Sequence, residues 1–317
     1  LVGECEIPAI ARKTGFNQST VENLALSAAV DARLSGKAEK AEKHIKLALK
    51  RFPNDPDTLH QAALIARDRG RMSRALQLIE RAAEHSPQSA PILCDMGLLF
   101  KNAGDNDKSI ACQRRVCSLV PESARAWSNL GTALNAAGQF EEALRALTRA
   151  IDINPHEPEF HFNQGNAYLG KGDLNPAIAA YERTIERAPT HLKAYINLAS
   201  AQKDIGRITH AEKTLAVAAQ QAPTSPDVLW NEALLMLSQG DYQNGWAAYE
   251  ARRSIPGFAI RHQEKPGWEG DHPEGRKLLI HAEQGLGDSL QFCRYIEYFS
   301  KSDIEFAVEL PDRLLPL

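Results

Sequence analysis

The sequence predicts an all-α solenoid of helix-turn-helix repeats followed by the first β-α-β of a parallel α/β sheet, and three observations carry this. Pro53, Pro87, Pro121, Pro155, Pro189 and Pro223 each stand thirty-four residues after the last. Gly36, Gly70, Gly104, Gly138, Gly172, Gly206 and Gly240 keep the same period. At Gly257, where a proline is due, the period ends, and breaker residues and then two short apolar runs follow. A fixed period of this length is the signature of stacked supersecondary units, each unable to bury its apolar face alone.

Taken in order, residues 1–21 form an N-terminal flank, and Ser19 with Glu22 has the spacing of a capping box for the first helix. Seven repeats then span residues 22–257. In each, the glycine falls where the first helix ends and a left-handed conformation is cheapest, and the proline, which cannot continue a helix, stops the second. Small residues mark the points where paired helices cross. In the first helices these are Ala29, Ala63, Gly97, Gly131, Gly165, Ala199 and Ala233, and in the second Ala41, Ala75, Ser109, Ala143, Ala177, Ala211 and Gly245.

First helices of such an array line a concave face, so a binding residue should recur at one of their positions. One position does so: Ser27, Gln61, Asp95, Asn129, Asn163, Asn197 and Asn231, the last four an unbroken run of asparagine. A side-chain amide both donates and accepts, so a ladder of amides suits the main chain of an extended polypeptide whatever its sequence. Phe162 and Trp230, each one residue before a ladder asparagine, are candidate groove anchors. Trp127, Tyr168, Tyr181 and Tyr195 fall where stacking helices need bulk.

Pro266, Gly267, Gly270, Pro273 and Gly275 mark residues 258–277 as a linker. In residues 278–317, "KLLIHA" reads as a buried strand and "EQGLGD" as a tight loop. "SLQFCRYIEYFSK" reads as an amphipathic helix with Leu290, Cys293 and Ile296 or Tyr295 inward, and "IEFAVEL" as a second strand. The loop is neither a dinucleotide fingerprint nor a P-loop, since "GLGDSL" lacks the third glycine and a lysine. Gly285 and Gly287 would still let a phosphate or sugar approach the backbone, with Glu283 and Gln284 shaping the loop. Asp288, at the helix entrance, is an N-cap or a carboxylate base.

Composition narrows the function. Lys plus Arg number 37 against 40 Asp plus Glu, a net charge of −3 that supplies no basic field for nucleic acid or an anionic membrane. No apolar run approaches the roughly 20 residues of a membrane span, and the N-terminus lacks a signal-peptide core, so a soluble, cytoplasmic chain is expected. Cys5, Cys94, Cys112, Cys117 and Cys293 include no CxxC pair and read as reduced, packed thiols; the ten histidines are scattered, and no metal is expected. The leading Leu1 and the "PDRLLPL" end read as cuts in a longer chain.

The unit "AWSNLGTALNAAGQFEEALRALTRAIDINP" places Trp127, Leu130, Gly131, Ala143, Leu147, Ala150 and Pro155 at tetratricopeptide positions, and the chain resembles a tetratricopeptide-repeat (TPR) protein. That resemblance implies a right-handed superhelix. The asparagine run resembles the ladder of O-linked N-acetylglucosamine transferases, which hold polypeptide substrates by their main chain. From "PGWEG" through "LLIHAEQGLGDSLQFCRYI" the sequence resembles the junction to the transferase domain of bacterial TPR-containing glycosyltransferases. The resemblance implies two Rossmann-like halves of GT-B type, a nucleotide-sugar donor in the second, and Asp288 acting on the acceptor hydroxyl. Nearly all of that fold is missing here, so this chain alone is expected to be inactive, with no cofactor of its own. The alternative is a non-catalytic scaffold with a vestigial C-terminal segment.

Overall fold

The computed structural model describes residues 24–255, 265–268, 275, 277–282, 289 and 293–314. Ser19 and Glu22 lie outside these residues, as do Gly257 and the loop residues Glu283, Gln284, Gly285, Gly287 and Asp288. Contacts divide the chain into two units, Leu1–Pro223 and Thr224–Leu317.

The described part of the first unit is twelve helices in six hairpins: α1 (Leu24–Leu34) with α2 (Ala38–Arg51), α3 (Pro56–Asp68) with α4 (Met72–His85), α5 (Ala90–Asn102) with α6 (Asn106–Leu119), α7 (Ala124–Ala136) with α8 (Phe140–Ile153), α9 (Pro158–Lys171) with α10 (Leu174–Arg187), and α11 (Leu192–Asp204) with α12 (Ile208–Gln221). The fourth hairpin shows how the sequence builds each one. Ser123 caps α7 by accepting from the Ala126 N–H. At its other end, the Gly138 N–H donates to the Asn135 carbonyl and the Gln139 N–H to the Leu134 carbonyl, at 3.0 and 2.9 Å. This Schellman pair requires a left-handed residue at 138. Gly138 sits at φ +74° with nothing near its missing Cβ, so the position demands backbone freedom rather than space.

The second helices stop as expected, and the prolines directly follow the C-cap residues, as Pro155 follows Asn154. Their carbonyls, freed from the helix ladder, become tie points. Arg187 Nε donates to the Pro155 carbonyl at 3.0 Å and Gln221 Nε2 to that of Pro189 at 2.9 Å, each from the next repeat's second helix.

Both small-residue series are buried at the helix crossings. Where the first-helix member is glycine, its partner sixteen residues on fills the space. A Cβ on Gly131 would lie 2.5 Å from Leu147 Cγ, one on Gly165 2.5 Å from Tyr181 Cε1, and one on Gly97 2.5 Å from Gln113 Nε2. Tyr181 is fully buried, as expected for bulk between helices, while Trp127 is half-buried and donates its indole N–H to the Pro121 carbonyl at 2.8 Å.

The described residues of the second unit contain α13 (Pro226–Ser238), α14 (Tyr242–Tyr249), a 3-10 turn (Glu250–Ser254), β1 (Leu278–His281), α15 (Ile296–Ser300) and β2 (Phe306–Glu309). β1 and β2 pair in parallel, Leu278 opposite Phe306 and His281 opposite Glu309, as the β-α-β reading requires. Of the expected connecting helix over residues 289–301, the described residues show Ser289 helical, a 3-10 turn over Cys293–Tyr295 and α15, which has five residues. Cys293, expected inward, is exposed; of the alternatives Ile296 and Tyr295, Ile296 is half-buried and Tyr295 exposed. Among the described residues, what is present is a small two-stranded parallel sheet rather than a Rossmann-like half.

Candidate functional site

The predicted ladder can be followed residue by residue on the first helices of the first unit. Gln61 on α3, Asp95 on α5, Asn129 on α7, Asn163 on α9 and Asn197 on α11 each sit two positions before a small crossing residue, so each is held where neighbouring first helices meet. Asp95 is buried and the others are half-buried.

Their bonding follows a rule of its own. Asp95 Oδ2 lies 2.7 Å from His60 Nε2; Asn129 Nδ2 donates to Cys94 Sγ at 3.3 Å; Asn163 Nδ2 donates to Ser128 Oγ at 3.2 Å. Each rung reaches back thirty-five residues, to the side chain just before the previous rung. The rule fails at Asn197 for a chemical reason, since the residue thirty-five back is Phe162, which has no acceptor. Asn197 Nδ2 turns instead to Asn166 Oδ1 at 3.0 Å, an oxygen that also accepts from the Tyr181 hydroxyl at 2.9 Å. Burial pushes that phenol up to about 12, so it stays a donor at neutral pH.

The rungs therefore differ in what they can offer a ligand. Asn163 spends one N–H on the preceding repeat and, among the described residues, has a second N–H and a carbonyl oxygen left over. Asp95 is committed to His60, and the two are buried at 8% and 7% exposure. The Gln61 Oε1 is enclosed without a hydrogen-bond partner. Asn231, in the second unit, donates to the Asp227 carbonyl of its own helix at 2.8 Å. Phe162 is a packing residue, its ring 4.7 Å from that of His191 and 5.9 Å from that of Tyr181. Six residues beyond the ladder position on α5, Lys101 makes no ion pair among the described residues, and burial pulls its ammonium below the usual lysine range.

The partners His60, Cys94 and Ser128 were absent from the sequence reading. The same thirty-four-residue ruler, laid one residue earlier, picks them out. The transferase candidates Glu283, Gln284, Gly285, Gly287 and Asp288 lie outside the described residues. Cys112 and Cys117 are buried free thiols, whereas Cys293 is exposed. No helix among the described residues is long and apolar enough to cross a membrane.

Comparison with known proteins agrees with the repeat fold. Three family models match: a TPR repeat over residues 131–172 and two tetratricopeptide repeats, over residues 168–235 and 90–122. Among curated proteins, Protein FlbA of Caulobacter vibrioides is 37% identical over 106 residues, covering 29% of this chain and 16% of FlbA. The match thus spans about a sixth of that relative's length. Among solved structures, a tetratricopeptide repeat protein from Parabacteroides merdae superposes with a TM-score of 0.65 at 16% identity, over 76% of this chain and 94% of that one. A thermophilic TPR protein of Thermus thermophilus gives 0.50 at 22% identity, over 57% and 99%. At these identities the structural likeness concerns the fold.

Proposed function

Starting from a chain that is a tetratricopeptide-repeat protein, we propose that it is a docking scaffold whose first-helix ladder holds extended polypeptide by its main chain. The observation that carries this reading is the state of Asn163: half-buried, tethered through one N–H to Ser128, and left with an N–H and a carbonyl oxygen. A tethered amide loses little rotamer freedom on binding, so the hydrogen bonds it adds are not cancelled by ordering cost. Asn129 and Asn197 continue the same line on the adjacent first helices. Each such contact nets only about 0.5–1.5 kcal/mol, which fits weak, sequence-tolerant capture. The test is binding of several unrelated unstructured peptides, followed by anisotropy, to the chain and to its Asn163→Ala/Asn197→Ala variant. Affinity should fall by about tenfold for all of them alike. Unchanged affinity would reduce the ladder to a repeat-to-repeat tie.

A second reading joins this arm to a sugar transferase, and the parallel pairing of β1 with β2 is what favours it. Parallel neighbours need a crossover, which is how an α/β catalytic fold begins. In that reading a longer parent transfers a sugar from a nucleotide sugar, Asp288 acts as base on the acceptor hydroxyl, and Glu283, Gln284, Gly285 and Gly287 shape the loop beside it. Asp288→Asn in the parent would keep the helix cap and lose turnover on a panel of nucleotide sugars by about 100-fold or more. An active Asp288→Asn enzyme would leave that residue as a cap.

A further inference from the structure

The ladder does not account for the cleft at the start of the first unit, where α2 faces the end of α3 and the α3–α4 turn. It has a volume of about 660 Å³, and its wall carries Lys43, Lys46, Lys50, Arg69 and Arg71 against only Glu39 and Glu42. This is a local excess of positive charge on a chain whose net charge is −3. One carboxylate absorbs three of the cations: Glu42 lies 2.9 Å from Lys46 Nζ, 3.3 Å from Arg69 Nε and 2.8 Å from Arg71 Nη1. Arg71 and Lys46 hold its carboxyl down to about 2, so it stays ionised and the group remains a fixed cluster. Lys43 and Lys50 have no ion-pair partner among the described residues.

The cleft also has an apolar component. Lys43, Leu47 and Lys50 fall at i, i+4 and i+7 on one face of α2, and Leu47 is 53% exposed between the two lysines. Sharing the rim residues Glu42, Lys46, Arg69 and Arg71 is a slot of about 120 Å³ bounded by Ile45, Leu49, Ile65 and Leu78. A slot of that size, with an aliphatic wall beneath a charged rim, accepts one aliphatic side chain. A bare phosphate or a nucleic-acid backbone would meet the cations but leave the slot and Leu47 unused. A basic segment would be repelled by the rim.

We propose that this cleft is a second docking site, separate from the ladder, for an acidic polypeptide segment that seats one aliphatic side chain in the slot and lays its carboxylates against Lys43, Lys46, Lys50, Arg69 and Arg71. Charge and shape select the occupant together, since the slot specifies an apolar anchor and the rim specifies acidic residues on either side of it.

The experiment uses the full chain and a fluorescein-labelled glutamate-rich peptide with one central leucine. The peptide should bind, with affinity falling as NaCl rises from about 0.05 to about 0.3 M. Replacing its leucine by serine should weaken binding by about tenfold, and replacing its glutamates by lysines should abolish it. On the protein, Lys43→Glu/Lys50→Glu reverses two exposed, unpaired charges and should weaken binding by about tenfold or more while thermal unfolding is unchanged. Asn163→Ala/Asn197→Ala should leave this affinity intact, which separates the cleft from the ladder. Failure of the peptide to bind would overturn the proposal, as would equal affinity of the leucine and serine peptides or unaltered binding by the double charge reversal. Preference for phosphatidylglycerol vesicles over the peptide would overturn it in favour of a membrane surface.

Discussion

The fourth repeat and the β1–β2 pair stand very differently. In the repeat, every local signal has a tertiary counterpart. Gly131 faces Leu147, Gly138 takes the left-handed turn, and Ala143, Leu147 and Ala150 are fully buried. In the strand pair, Leu279 and Val308 remain 36% exposed on strands of four residues. A repeat borrows neighbouring surface on both sides and completes its core by stacking, whereas a parallel sheet needs cover on both faces before its strands are buried.

The difference should be most visible in cysteine chemistry. Thiols react as thiolates, and burial pushes Cys112 up to about 11 and Cys117 up to about 12, whereas Cys293 is exposed. Alkylation at pH 8, read site by site by mass spectrometry, should modify Cys293 about 1000-fold faster than either α6 thiol, because those must both lose a proton against their shifted pKa and await opening of the repeat. Comparable rates at all three sites would mean that the third repeat opens as readily as the strand pair, and the contrast between the regions would be gone.

A smaller effect separates the same two regions by mutation. Gly131→Leu must displace Leu147 Cγ, which a Cβ alone would approach to 2.5 Å, and the Ala143 carbonyl at 3.2 Å leaves no room on the other side. Overpacking at such a crossing should cost about 3 kcal/mol and lower the main unfolding midpoint, monitored by circular dichroism. Val308→Ala removes a third-exposed side chain and should leave that midpoint unmoved. A midpoint that responds to Val308→Ala as strongly as to Gly131→Leu would show that the two regions unfold as one.

How much of this was legible in the sequence tracks the same contrast. The glycine, proline and small-residue series each encode a local requirement, a positive φ, a helix stop or a close crossing, and each is met seven, six and seven times over the chain at a single period. Reading one repeat therefore reads all of them. The ladder was legible as positions but not as bonds, because pairing Asn163 with Ser128 depends on how one first helix lies against the next. The same is true of His60 with Asp95, where a rung expected to face a ligand is instead closed by a neighbour. Over residues 289–301 periodicity misjudged burial at one described position, since Cys293 falls on the apolar stripe and is exposed, while Ile296 on the same stripe is half-buried. The cationic cleft escaped notice because a near-neutral total charge conceals a cluster drawn from α2 and the following hairpin.

The smallest effect tests whether the repeats' internal ties and their ligand-facing groups are the same groups. Ser128→Ala removes the oxygen that holds the Asn163 amide but adds no bulk, and Ser128 is buried at 5% exposure, so the loss is confined to one neutral hydrogen bond. Stability should fall by only about 0.5–1 kcal/mol, within reach of urea titration. The released amide can still bond a peptide, yet it must first be ordered, so affinity for unstructured peptides should drop by about threefold, with Asn163 itself untouched. The two readouts then decide the role of the tie. A stability loss without an affinity loss would mean that the contact with Ser128 joins α9 to α7 and nothing more. A loss in both would make the period of the repeats, through side chains thirty-five residues apart, the device that sets each rung at its binding angle.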